Sequence, residues 1–455
     1  MSGEAMAAVR EALAGERAWL VGGAVRDRLL GRPTDDIDVT MAGDPRAAAR
    51  RLAKATGGAS FRLSGAFGTW RVVGPGHSWH ADLVTLRDGE IEADLAHRDF
   101  TINAMAEPIG GGELLDPHGG REDLARGIVR MVSAQALADD PLRSLRAVRI
   151  AVELGLEIDP ETGRAAAAHA REMERVAPER VFGELKRVIS ADDVRRGLEL
   201  MEAYGLTAIV LPELQALHGV EQSVFHHLDV HDHTLEVLDA VALLQRDPVA
   251  AGLGEDVAAL LAEPLSDELT RGGAMRWAAL LHDAAKPSTR GETPEGRVTF
   301  IGHDAEGAKL ARDVLGRLRS STRLRDYVAT LIEHHLDLGF LVHRGPLDRR
   351  TIWRYLQATA PFSADVTIFT VADRIATRGR NAGAAIAAHL VLAREMLSAD
   401  APAPPLVRGD DLMRTLGIRP GPQLGRLVAQ LAEAQYAGEI STREDAIARA
   451  RELLG

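Results

Sequence analysis

Four short stretches near the N-terminus are rich in apolar and β-branched residues: AWLVGG (18–23), DIDVTMA (36–42), TWRVVG (69–74) and HADLVTL (80–86). Each is bounded by turn residues, and each predicts a strand. From about Arg121 the pattern becomes that of a helix. ALADDPLRSLRAVRIAVEL carries apolar residues at i, i+3 and i+4, and residues 215–400 continue in helical pattern with many histidines. APAPP (401–405) cannot continue a helix, and a short helical tail containing GIRPGPQLGRLV follows. The pattern predicts an α+β multidomain chain: a small mixed head (1–118), a helical neck (119–214), a helical body (215–400) and a helical tail (401–455). No internal repeat interrupts it.

Composition narrows the picture. Of 455 residues 46% are hydrophobic but only 4% aromatic, a balance that favours helices. Cysteine is absent, so disulfides and thiolate metal sites are excluded and any metal rests on His, Asp or Glu. No basic-then-apolar leader opens the chain and no apolar run is long enough for a bilayer, which predicts a cytoplasmic protein with no membrane partner. The net charge of -12 argues against a wholly basic surface, though not against a local basic groove.

The head carries the first chemistry. On a strand, Asp36 and Asp38 share one face. Two like-pointing carboxylates repel unless a cation lies between them, and oxygen-only ligands suit Mg²⁺. A solvated strand edge is the alternative. Upstream, Gly22 and Gly23 close a strand before a helix start, a place where backbone N–H groups approach phosphates, and Arg26 can add a charge-assisted contact. Asp82 is the candidate third acid of a two-metal phosphoryl-transfer site.

GGAVRD followed by DxD, DLAHRDFTINAMA (94–106), DDPLRSLRAVR (139–149) and LVRGDDLMRTLGIRPGPQLG (406–425) together resemble the class II tRNA nucleotidyltransferase and bacterial poly(A) polymerase family. The resemblance covers nearly the whole chain and implies a polymerase-β-like head. It also implies that Arg98 and Asp99 contact triphosphate or ribose, or hold the neck in place, and that Asp140 and Arg143, three apart on one helix, read the Watson–Crick edge of CTP or ATP. An i,i+3 surface ion pair is the alternative for that pair. The chain departs from the family's EDxxR at Asp139 and from its RRD at His97. It also has only DGEIEA (88–93) where enzymes that build the whole CCA end carry a flexible loop. Family members lacking that loop add only two cytidines, so the resemblance implies CC addition, with tRNA as partner and a separate A-adding enzyme completing the end. Rivals are poly(A) polymerase, and a hydrolase whose head only binds RNA.

The body's ordered set His233, His282–Asp283, His303, His334–His335 and Asp373 resembles the HD superfamily of metal-dependent phosphohydrolases. That resemblance implies one divalent transition metal (Mn, Ni, Fe or Co) on His233, His282, Asp283 and Asp373, and a second on His303 and His334. It further implies phosphatase or 2′,3′-cyclic phosphodiesterase activity. Arginine-dense stretches at 316–326, 349–356 and 414–426 are candidate RNA contacts or solvated helix faces.

Overall fold

The computed structural model describes residues 3–63, 68–222, 227–342, 347–378 and 382–454. The chain forms two compact units, Met1–Val210 and Leu211–Gly455. Its class is α+β multidomain.

The first unit is organised by a six-stranded sheet: β1 (Ala18–Val21), β2 (Asp36–Met41), β3 (Ala59–Arg62), β4 (Trp70–Val73), β5 (His80–Thr85) and β6 (Ala106–Pro108). The spatial order is β3-β4-β5-β2-β1-β6, and only β2 and β5 run parallel. Alternation fixes the faces. Ile37, Val39, Met41, Ala81 and Leu83 point inward, fully buried with Val9 and Leu52 from the helices Gly3–Ala12 and Pro45–Thr56 and with Leu13 just after the first. Burying one such leucine contributes about 2 kcal/mol, so a one-residue slip of β2 would exchange this core for carboxylates. The opposite face of β2 and β5 therefore carries the polar residues. After β6 the unit is helical, with Leu142–Leu154, Pro178–Ser190 and Val194–Ala203 packed together.

The second unit is a helical bundle built on Val230–Arg246, Arg271–Leu281, His303–Arg317, Thr322–Glu333 and Ser363–Ala376. Asp229 and Ser321 cap two of these helices by accepting from backbone N–H groups, which satisfies otherwise orphaned donors. The tail helices Gly409–Leu416, Pro422–Ala437 and Arg443–Leu454 enclose their own core around Leu412, Leu427 and Leu431. Three arginines of the 349–356 stretch join this tail. Arg350 donates to Glu439 and Glu433, Arg354 pairs with Glu433, and Arg349 Nε donates to the Tyr436 carbonyl at 2.7 Å. No helix among the described residues is long and apolar enough to cross a membrane.

Candidate functional site

In the first unit, parallel pairing places Asp38 directly opposite Asp82 and Asp36 opposite His80. Carboxylate oxygens of Asp36, Asp38 and Asp82 lie within 4.8 Å of one another. Each has a different environment. Asp82 is held by a fork from Arg71, with Nε and Nη2 both at 2.7 Å. Asp36 pairs with His80 Nε2 at 3.0 Å. Asp38 has no side-chain hydrogen bond or ion pair among the described residues. Burial first, then the charges of Asp36 and Asp82, push its carboxyl up to about 7 against the opposing pull of Arg98 and Arg71. An unpartnered carboxylate between two others is a donor set that a hard divalent cation relieves, so these residues fit Mg²⁺.

Gly22 turns the chain into the helix Gly23–Leu29 with φ 67°. A Cβ there would meet Arg98 Nη1 at 3.0 Å and Asp38 Oδ2 at 3.2 Å, so both backbone and space demand glycine. Gly22, Gly23, Arg26, Asp36, Asp38 and Arg98 share a cavity of about 430 Å³ with Asp99 and Arg146. Arg26 is committed within it to Asp27 and to Asn103 Oδ1 at 2.7 Å. Asp99 accepts from the Phe100 N–H at 2.8 Å, Asn103 at 3.0 Å and Arg146 at 3.1 Å. Burial opposes its ionisation, but Arg146 and these donors outweigh that and hold it below the usual carboxylate range. A neighbouring cavity of about 400 Å³ is walled by Arg87, Asp94, His97, Arg98, Arg143 and Arg146. The side chains counted there carry four guanidinium charges against those of Asp94 and Asp99.

Two sequence expectations need correction. Asp140 does not share a helix with Arg143. Pro141 follows it and disfavours the α region, so Asp140 is extended (φ −145°, ψ 96°) between the helices Gln135–Asp139 and Leu142–Leu154. Its Oδ2 accepts from Arg180 Nη2 at 2.7 Å. Arg143 instead donates to the carbonyls of His97 (2.8 Å), Ala136 (3.0 Å) and Arg98 (3.2 Å). The i,i+3 ion pair is absent as well. Sequence reasoning overlooked Arg180, although its spacing from Glu184 in PERVFGEL is one helical turn, and it overlooked Arg146, which joins Asp99 to Glu184.

In the second unit, His233 Nε2 lies 3.1 Å from Asp373 and 3.8 Å from Asp283. His282 Nε2 is 3.1 Å and His303 Nε2 3.5 Å from Asp283. Potential ligand atoms form two groups, His233–His282–Asp283 and Asp283–His303–His335, all buried and sharing Asp283. His335, not His334, belongs to this cluster. The helix Thr322–Glu333 stops just before them and the adjacent side chains diverge. His335 faces inward, while His334 is half-buried and bonds Asp337 at 2.8 Å.

Three of the imidazoles are fixed alike. Nδ1 of His282, His303 and His335 donates to the carbonyl three residues earlier, at 2.9, 2.7 and 2.6 Å, which turns each Nε2 toward the cluster. Asp283 Oδ1 is buried without a hydrogen bond, while Oδ2 faces His282 Nε2 at 3.1 Å and Lys286 Nζ at 2.7 Å. Burial and the neighbouring imidazoles push His335 down to about 4, the neutral form a metal requires. Converging buried imidazoles, one of them held neutral, and a buried carboxylate with one unpartnered oxygen fit a divalent transition metal. Lys286, another residue the sequence did not single out, places Nζ 2.7 Å from Asp283 and donates to Gln222 at 2.6 Å.

The chain is similar to known proteins along most of its length. The Poly A polymerase head domain matches residues 18–130, the probable RNA and SrmB-binding site of polymerase A matches 155–217, and the HD domain matches 230–378. An A-adding tRNA nucleotidyltransferase of Deinococcus radiodurans is 38% identical, covering 94% of each chain. A CC-adding tRNA nucleotidyltransferase of Thermus thermophilus is 36% identical over 94% of this chain and 92% of its own. The Bacillus stearothermophilus CCA-adding enzyme in complex with CTP superposes with TM-score 0.63 at 25% identity, covering 99% of this chain and 96% of that one. The Thermotoga maritima CCA-adding enzyme complexed with tRNA gives 0.60 at 19% identity over 100% and 97%.

Proposed function

This chain belongs to the class II tRNA nucleotidyltransferase and poly(A) polymerase family, with an HD domain, and from that premise we propose that it adds CMP to the 3′ end of tRNA. The observation that carries the reading is the convergence of Asp36, Asp38 and Asp82 beside Gly22 and an arginine-walled cavity. In the reaction, the terminal 3′-hydroxyl oxygen bonds to the α-phosphorus of the incoming nucleotide, the bond to the β-phosphate oxygen breaks, and pyrophosphate leaves. Asp36, Asp38 and Asp82 would hold Mg²⁺, which would lower the hydroxyl pKa and offset phosphate charge. Gly22 and Gly23 admit the phosphates close to the backbone, and Arg98 and Arg146 face them with charge. Asp99 is oriented by Asn103 for the ribose. Asp140 with Arg180, and Arg143, stand in the neck as the base-reading group.

Two cytidines are the extent of addition on this reading. The connection from β5 to the helix Ile91–Ala96 is five residues, Leu86 to Glu90, shaped by one 3₁₀ turn and a left-handed Asp88. That leaves no flexible loop to reset the template for ATP, and a second enzyme supplies the A. The similarity to an A-adding enzyme favours the other reading, addition of A alone. The buried histidine cluster acts as a metal-dependent phosphohydrolase, with Lys286 at its edge to contact a phosphate.

The test gives purified protein tRNAs ending at the discriminator base, C or CC, with CTP, ATP or both, and reads products at single-nucleotide resolution. Growth that stops at CC and ignores ATP supports the proposal. Addition of A to CC alone supports the A-adding reading, and long A tails on many RNAs a poly(A) polymerase. Asp36→Asn abolishes addition and leaves phosphomonoester hydrolysis, whereas Asp283→Ala does the reverse.

A further inference from the structure

The register of the head's sheet continues past the acids to its edge. Asp38 on β2 lies opposite Asp82 on β5, Asp82 opposite Arg71 on β4, and Arg71 opposite Phe61 on the edge strand β3. Residues paired directly across strands share a face, as the fork from Arg71 to Asp82 shows for the middle of this row. Phe61 therefore stands on the face that carries the carboxylates, two strand spacings or about 10 Å from Asp82. Leu63 follows two residues on, where its N–H donates to the Thr69 carbonyl at 2.9 Å, and alternation puts it on the same face. Phe61 is 46% exposed and Leu63 45%. Among the described residues of the first unit, no other Phe, Tyr or Trp is exposed.

The direction of the chemistry says what comes to this flank. The two cavities of the nucleotide site draw their walls from the Gly22 turn after β1, from β2, from the end of β5 and from the helical segments, and from no described residue of β3 or β4. The incoming nucleotide thus occupies the β1 side of the acids. In phosphoryl transfer the attacking and leaving oxygens lie roughly in line, so the 3′-hydroxyl approaches from the side opposite the departing pyrophosphate. That route crosses β4 and β3. An edge aromatic with an open face is what an unpaired base stacks on, whatever the identity of the base.

We infer that Phe61 is a stacking platform for one of the last two bases of the RNA being extended, with Leu63 widening the apolar surface beside it. The inference rests on the nucleotidyltransferase reading of the head. It gives the primer end a binding residue on a strand that supplies none of the carboxylates or phosphate-facing groups. Stacking reads a ring and not a sequence, so the same platform serves a primer ending at the discriminator base or at C.

The experiment uses the full chain and an acceptor-stem minihelix RNA ending at C, either intact or with its terminal or penultimate base removed to leave an abasic ribose. Fluorescence anisotropy reads Kd for each RNA, and addition assays read KM for CTP. Phe61→Ala should weaken binding of the intact RNA about tenfold, the loss expected of one base–aromatic stack, and leave KM for CTP unchanged. Phe61→Trp should keep the parental affinity. Removing the stacked base should cost the parent the same tenfold and cost Phe61→Ala nothing further. Unchanged affinity of Phe61→Ala for the intact RNA overturns the inference, as does a tenfold loss that persists on both abasic RNAs. A matching rise in KM for CTP marks a disturbed sheet in place of a lost stack and overturns it too. A parent that sediments as a dimer and a Phe61→Ala variant that sediments as a monomer would give this edge to a second copy of the chain, against the inference. A parent that adds no nucleotide to any RNA overturns the nucleotidyltransferase reading itself, and the inference with it.

Discussion

Replacing Glu184 by alanine tests the electrostatic frame that supports the nucleotide cavity. Glu184 Oε1 accepts from Arg146 Nε at 2.9 Å and its other oxygen accepts from Arg149. Arg146 continues to Asp99 at 3.1 Å, and Arg149 to Glu153 at 2.9 Å. Glu184, Asp99 and Arg149 are all under 10% exposed. Removing one member of a buried pair costs about 3–5 kcal/mol because the remaining charge loses its partner. Here each arginine keeps a second carboxylate and Arg146 is partly solvated, so the lower end applies, about 3 kcal/mol. Hydrogen exchange read by mass spectrometry separates the two units. Peptides covering Leu142–Leu154 and Pro178–Ser190 should exchange roughly a hundredfold faster in the variant, since each 1.4 kcal/mol is about tenfold. Peptides from Ser363–Ala376, in the other unit, should not change. Glu184→Gln keeps shape and one acceptor and should show a smaller effect. If the alanine variant accelerates exchange less than about fivefold, near 1 kcal/mol, the network is not holding these helices and the reasoning fails.

The same network sets an acid limit. Asp99 and Glu184 are both held below the usual carboxylate range, so the unfolded chain binds more protons and their contribution is lost as pH falls below about 4; urea midpoints from pH 7 to 3 should fall more steeply for the parent than for Glu184→Ala. Gly22→Ala forces a side chain into a left-handed position at a cost of about 1–2 kcal/mol and displaces Asp38 and Arg98; nucleotide addition should drop at least about tenfold while the circular dichroism spectrum is retained. His335→Ala should lower bound transition metal measured by plasma mass spectrometry and His334→Ala should not; equal losses would contradict the placement of His335 in the cluster.

Sequence pattern sufficed where a strand's own residues carry the signal. β1, β2, β4 and β5 are apolar or alternating runs between turn residues, and the alternation of β2 gave the shared face of Asp36 and Asp38. β3 (ASFR) and β6 (AEP) are edge strands defined by pairing more than by pattern, and neither was anticipated. Arg71 and His80 were invisible for the same reason, since their roles depend on register between strands distant in the chain. Asp140 was misplaced because a family motif was read as continuous helix across Pro141. His334 and His335 are neighbours of identical type, and only the point where the preceding helix ends tells which one turns inward.

The three clamped histidines of the second unit have a consequence for assembly. Each ring is oriented by a carbonyl only three residues away, so its direction is written into a single turn of backbone rather than into the ion it faces. A cage whose walls are set locally does not need its occupant as a template. The cage is therefore expected to keep its form with and without an ion.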